Sequence, residues 1–252
     1  MVRGSSYLLA FLTLSSTLWA AELTACYTAK YLFLPVAVTC ITYSQKGDKL
    51  HISSWVKTVN VGKLVKRVYN YGNALVDLNP IRPISFFYHQ EEGTFKREQF
   101  YHFQNGRIKV REVKYEDLTN NIQKEEVKEY VYTGYVEPYT ASLTLYANVK
   151  KTSAGKIKMF YDDKNYEIPY QVVGKELVRT PAGNFESVKV LVNPNIQTKG
   201  LLRPTGQWTL WLDDGMLLPV KMQLSFVIGS VKAELESIEG DRDLLRRVLL
   251  KE

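Results

Sequence analysis

The sequence predicts a mainly β protein, a β-rich α+β chain whose single antiparallel sheet carries one or two covering helices. Three observations lead there. Turn signals recur along the chain, separated by short runs in which apolar and polar residues alternate. Asn105-Gly106 lies between two such runs, and both residue types accept the positive φ of a tight type I′ turn. Only residues 138–150 and 241–250 switch to helical spacing.

The chain opens with an export signal. Arg3 gives a short positive region, residues 7–20 are apolar, and the small Ala20 and Ala21 precede Glu22, where the apolar run stops. That order is read by a signal peptidase. The run is shorter than the roughly 20 residues that span a bilayer. Residues 1–21 are therefore expected to be a signal peptide, cut after Ala20 or Ala21, and 22–252 a single β-rich domain. A buried N-terminal helix fits less well, because the sequence changes abruptly to strand-like alternation at Glu22. No second apolar segment of spanning length follows, so no transmembrane span is expected in the mature chain.

The formal net charge is +7 at pH 7, and loss of Arg3 lowers it by one. The cations are dispersed, as at Lys150-Lys151, Lys156, Lys158 and residues 242–247. Such an excess is a solvated surface that favours anionic headgroups or sugars. Nucleic acid is disfavoured, because the chain is exported and carries no recognised nucleic-acid motif.

The chain has two cysteines, Cys26 and Cys40. In an oxidising compartment such a pair reads as a disulfide. On one unbroken strand the two would lie about 46 Å apart, so the pair requires a bend, placed near Leu34-Pro35 between strands 26–33 and 36–43. A second reading competes: Leu23-Thr24-Ala25-Cys26 has the form of a lipobox, in which Cys26 becomes the acylated first residue. Glu22 interrupts the apolar core before that box, and Cys40 would be left unpaired, so the disulfide is preferred.

Lys46-Gly47-Asp48 then separates the second strand from a third at 50–58. The hairpin at 100–113 puts Tyr101, Phe103, Ile108 and Val110 on one face, and Phe100, His102, Gln104, Arg107, Lys109 and Arg111 on the other. Further hairpins pair 156–161 with 166–173, 176–179 with 185–192, and 207–212 with 217–228, leading into a last strand at 231–238. Asn79-Pro80-Ile81-Arg82-Pro83 reads as a rigid loop. One-faced alternation implies a sheet with one side on a core and the other toward solvent or a ligand.

No reaction is legible. His51, His89 and His102 have no second His or Cys at metal-ligand spacing, and no nucleophile elbow or phosphate-cradling loop is present. Asp162-Asp163 and Asp213-Asp214 sit in turns, where Asp bonds the local backbone, and lack the ligand series of a calcium loop. No catalytic residue, metal ligand or cofactor is therefore assigned. The aromatics are more informative. Trp208 and Trp211 must point to opposite faces of one strand, so one of them lines a second apolar surface, under a helix or in a ligand groove. Trp55, Trp208 and Trp211 are the candidate groove aromatics.

A resemblance follows from particular residues. Thr180-Pro181-Ala182-Gly183-Asn184-Phe185-Glu186-Ser187-Val188-Lys189-Val190, then Trp211-Leu212-Asp213-Asp214-Gly215 leading to Leu218-Pro219-Val220, with Gly229 before the final strand, resemble an exported bacterial family known as domain of unknown function 3108. The early hairpin from Tyr31 to Thr58 and the helix start at Glu137-Pro138-Tyr139-Thr140 are similar to it as well. The family has no established activity, so the resemblance brings no catalytic residue. It implies a place in the periplasm or at the outer membrane, and a sheet curved into a half-barrel like that of lipoprotein carriers. The expectation is then a non-enzymatic envelope protein holding a lipid acyl chain or another envelope component. An envelope-assembly module and a hydrolase of envelope glycans or lipids are the alternatives.

Overall fold

The computed structural model describes residues 21–117, 119–196, 206–226 and 229–251. Fourteen strands form one antiparallel sheet, in the order β8-β7-β6-β5-β4-β3-β2-β1-β14-β13-β12-β11-β10-β9. The first eight are β1 (Ala21–Tyr31), β2 (Leu34–Lys46), β3 (Lys49–Thr58), β4 (Tyr69–Leu78), β5 (Ile81–Glu92), β6 (Phe95–Gln104), β7 (Arg107–Tyr115) and β8 (Ile122–Val131). They meander outward to one edge. The chain then forms α2 (Pro138–Asn148) and returns from the other edge through β9 (Ala154–Tyr161), β10 (Lys164–Thr180), β11 (Gly183–Val192), β12 (Trp208–Asp213), β13 (Pro219–Phe226) and β14 (Gly229–Gly240). The one-turn α1 (Gly62–Val65) joins β3 to β4, and α3 (Leu244–Leu250) follows β14.

This order puts the first and last strands side by side in mid-sheet, with Tyr31 opposite Val231 and Leu23 opposite Gly240. The sheet is not closed. Its edges are β8 and β9, and a single parallel bridge, Val136 to Met159, crosses near the gap. β8 carries Lys124, Glu125, Glu126, Lys128 and Glu129, charges that discourage pairing with another chain.

The Asn105-Gly106 hairpin has the expected register, Gln104 opposite Arg107 and Tyr101 opposite Val110, with positive φ at both turn residues. Tyr101, Ile108 and Val110 are buried. The first bend differs slightly from expectation. It falls at Leu32-Phe33, where Leu32 takes φ 56°, and Pro35 is already inside β2. The run at 176–179 is not a separate strand but the end of the 17-residue β10, which carries its extra residue at Val173 before Gly174. Asn79-Pro80 is the tight turn of the β4–β5 hairpin, and Ile81, Arg82 and Pro83 belong to β5. The last helix is shorter than the expected 241–250 and starts at Leu244, after Asp241 N–H has bonded the Glu22 carbonyl; it still carries the whole apolar stripe.

Cys26 and Cys40 are direct cross-strand partners in β1 and β2 and are joined by a disulfide. That bond occupies the sulfur that the lipobox reading would acylate. Ala20 lies outside the described residues, and Ala21 is the first residue of β1.

Candidate functional site: an apolar cavity under the central helix

The concave side of the sheet holds the core, and α2 lies within it. Glu137 caps this helix. Its carboxylate accepts hydrogen bonds from the backbone N–H groups of Tyr139 at 2.6 Å and Thr140 at 2.8 Å, and from the Thr140 hydroxyl. Pro138 occupies the first turn, where its missing N–H costs nothing. Thr140, Ala141, Leu143, Leu145, Tyr146 and Ala147 are all buried, so the helix is enclosed rather than amphipathic. Burial pushes the Glu137 carboxyl up to about 7, against the hydrogen bonds it accepts.

Beside α2 lies a cavity of about 460 Å³. The helix contributes Pro138, Tyr139, Ala141, Ser142, Leu145 and Tyr146. One wall comes from Ser54 of β3 and Phe86 and Tyr88 of β5. The opposite wall comes from the returning strands, with Met159 and Tyr161 of β9, Ile168 of β10, Leu210 of β12, and Met222 and Leu224 of β13. Pro194 and Ile196, just past β11, and Trp208, at the start of β12, complete it. The polar groups in the wall are hydroxyls, such as Tyr139 Oη, 2.7 Å from Ser54 Oγ. Among the described residues the lining contains no Asp, Glu, His, Lys or Arg. Burial pushes the phenols of Tyr88, Tyr139, Tyr146 and Tyr161 above the ordinary tyrosine range. The described surface is built to contact apolar matter.

The three tryptophans divide. Trp208 lines the cavity, its Nε1 donating to the Ser225 carbonyl at 3.2 Å. Trp211 lies on the other face, donating to Glu176 and flanked by Lys189 and Lys221 at 5.3 and 5.4 Å from its ring. Trp55, directly opposite Cys40, alternates with the cavity residue Ser54 and sits beneath Lys57 on the outer face. The pleat separates them, so Trp55 and Trp211 are not groove residues.

The histidines do not converge either. His51 and His102 are exposed. His89 is buried on the outer side, stacked on Tyr71 at 4.6 Å, with Nδ1 3.1 Å from Glu98, which also accepts from the Tyr115 hydroxyl at 2.8 Å. Among the described residues no serine is hydrogen-bonded to a histidine, and no group of three or more His, Cys, Asp or Glu could hold a metal ion.

Sequence reasoning missed the group that holds the two edges of the sheet together. Arg97 of β6 is fully buried. Its Nη1 donates to Glu112 at 2.9 Å and to Asp162 of the β9–β10 turn at 2.5 Å, and its Nε donates to Gln90 at 2.9 Å. Burial disfavours this cation, but Asp162 and its neighbours more than offset that, and its pKa lies above the usual arginine value. Lys128 of β8 reaches Asp163 of the same turn at 2.6 Å, and that hydrogen bond raises the lysine pKa. Asp162-Asp163 is thus both a turn, with positive φ at both residues, and a clasp across the open side.

The fold is supported by comparison with a solved structure. A crystal structure of a β-barrel-like protein of domain of unknown function DUF1849 from Brucella abortus matches over 88% of this chain and 98% of that one, at 9% identity and a TM-score of 0.57. A DUF1329 family protein from Desulfovibrio piger matches over 90% and 87%, at 9% identity and a TM-score of 0.25. No curated protein matches the chain by sequence. Among the described residues no helix is long and apolar enough to cross a membrane. The family described as protein of unknown function (DUF3108) matches residues 26–236, and the chain belongs to it.

Proposed function

We propose that this chain is an exported, non-enzymatic protein of the cell envelope that holds an apolar or amphipathic ligand, such as a lipid acyl chain, in the cavity beside α2. The observation that carries the reading is the wall itself. About 460 Å³ is lined by aliphatic and aromatic side chains with a few hydroxyls and, among the described residues, no charged one. Natural small-molecule sites span roughly 300–1,000 Å³ with that composition. A wall of aliphatic and aromatic side chains suits retention of apolar matter. The N-terminal export signal supports an envelope location, where such ligands are abundant.

The test is native mass spectrometry of protein purified from the envelope, followed by solvent extraction of anything that co-purifies. A bound lipid is expected, and Ala141→Phe, which fills the cavity from α2, should reduce its occupancy. Brominated fatty acid should quench Trp208 while sparing Trp55 and Trp211 on the far face, with Trp208→Phe as the control. Protein that carries no lipid and shows no quenching would overturn the reading.

A further inference from the structure

The end of the sheet that bears the β1–β2 turn carries large apolar side chains in water. Leu32 is 70% exposed and Phe33 83%, and on α1 Leu64 is 87% and Val65 72% exposed. The two tips are neighbours. Val59 N donates to the Val36 carbonyl at 2.9 Å, and α1 begins so close to β2 that a Cβ on Gly62 would stand 2.1 Å from the Val36 oxygen. Scattered exposed leucines are ordinary, but two adjacent protruding tips form a patch that marks a contact site.

Charge identifies the partner. No Asp or Glu occurs between Glu22 and Asp48, or between Asp48 and Asp77. Lys57, Lys63, Lys66 and Arg67 flank the tips, and none has a carboxylate partner among the described residues. Lys30 is neutralised by Glu234 at 3.1 Å, and Glu92, at the nearby end of β5, is buried. Lysine is depleted in the cores of protein–protein interfaces. Apolar residues that project through a ring of unpaired lysine and arginine match an anionic bilayer surface, with hydrocarbon below a layer of negative headgroups.

We propose that this end of the sheet docks on an anionic lipid bilayer, with Leu32, Phe33, Leu64 and Val65 entering the interface and Lys57, Lys63, Lys66 and Arg67 meeting the headgroups. The strand register places Pro194, Ile196 and Trp208 of the cavity wall at the same end, so docking turns the cavity toward the lipid. The docking surface itself stands on exposure and charge and does not require an occupied cavity.

Flotation of the exported protein, recovered from cells that express the full chain, tests this with vesicles of phosphatidylcholine alone and of phosphatidylcholine with phosphatidylglycerol. Binding is expected on the anionic vesicles and should weaken as salt rises. Phe33→Glu with Leu64→Glu should reduce partitioning at least tenfold. Lys63→Glu with Lys66→Glu should weaken binding to anionic vesicles. Val131→Glu, 71% exposed at the opposite end of the sheet, should leave it unchanged. Phe33, Lys63, Leu64 and Val131 are exposed and Lys66 is half-buried, so unaltered melting checks that the variants fold. Wild-type protein that ignores anionic vesicles, binds both kinds equally, or binds them regardless of the Phe33 and Leu64 changes would overturn the proposal. So would vesicle binding absent while these residues mediate contact with a protein. A lipid-loaded protein that fails to float rejects docking alone, and an empty protein that floats rejects the cavity reading alone.

Discussion

Replacing Arg97 by Met should be among the most damaging single changes in the molecule. The substitution keeps much of the side-chain volume but removes the cation that Glu112 and Asp162 share. Both carboxylates are nearly inaccessible, at 7% and 1% side-chain exposure, and Arg97 itself is at 0%. Water cannot readily replace the guanidinium. Breaking a buried pair from one side costs about 3–5 kcal/mol, mostly because the surviving charge is left desolvated. For a chain of this size that corresponds to roughly 6–20 °C in melting temperature. Urea titration at neutral pH, with circular dichroism as the readout, measures it. Adding Asp162→Asn to Arg97→Met should recover part of the loss, since removing both sides of a buried pair is far milder than removing one. An Arg97→Met protein within about 0.5 kcal/mol of wild type, the usual range for a surface substitution, would refute the idea that this cluster clasps the edges of the sheet.

Two further perturbations follow from the geometry. The Glu137 carboxyl is pushed up to about 7 by burial, so the folded state holds its proton more tightly than the unfolded chain does. The associated stability is present below about pH 4.5 and lost as pH rises to about 7. Relative to Glu137→Gln, wild-type stability should therefore fall by on the order of 3 kcal/mol between pH 5 and 8, and a difference that stays constant across that range would reject the assignment. Cys26→Ala with Cys40→Ala should cost about 2–4 kcal/mol by freeing a short loop in the unfolded chain. Alkylation should find both thiols protected until reductant is added, and two free thiols in the native protein would rule out the bond.

Much of the fold was legible because it depends on local chemistry. The Asn105-Gly106 turn sets the register of β6 and β7, and the α2 start is written in Glu137-Pro138. What escaped was sequence whose partners are distant. β4 does not read as a half-buried strand, because its inward residues include Asn70, Gly72 and Ala74, which are small or polar. They are small for a reason: a Cβ on Gly72 would lie 2.9 Å from the Tyr139 hydroxyl and 2.7 Å from the Phe87 carbonyl. β8 was hidden by the charges that protect it as an edge. Arg97 sits in Phe95-Lys96-Arg97-Glu98-Gln99, which looks solvated until Asp162 arrives from 65 residues away. For the cavity, the pleat placed Trp208 and Trp211 on opposite sides of β12, but nothing local told which side was concave.

The existence of the cavity follows from lengths. α2 has 11 residues, so it spans about 16 Å, while β1, also 11 residues, spans about 36 Å. A single helix of that size cannot fill the concave side from end to end. Its C-terminal end is fixed at one end of the sheet, where Lys150 holds Asp214 in the β12–β13 turn at 2.6 Å and where α3 buries Leu244 and Leu245. The remaining space lies alongside the helix, from Leu145 and Tyr146 to Pro138, and extends toward the opposite end, the one at which Pro194, Ile196 and Trp208 stand. Closing the sheet into a tighter barrel would squeeze that space out. The gap between β8 and β9 prevents such closure, and the clasp of Arg97 and Lys128 on Asp162-Asp163 keeps the edges from splaying. The unpaired edges and the short helix thus have the same consequence: an apolar space at the end that also carries Phe33 and Leu64.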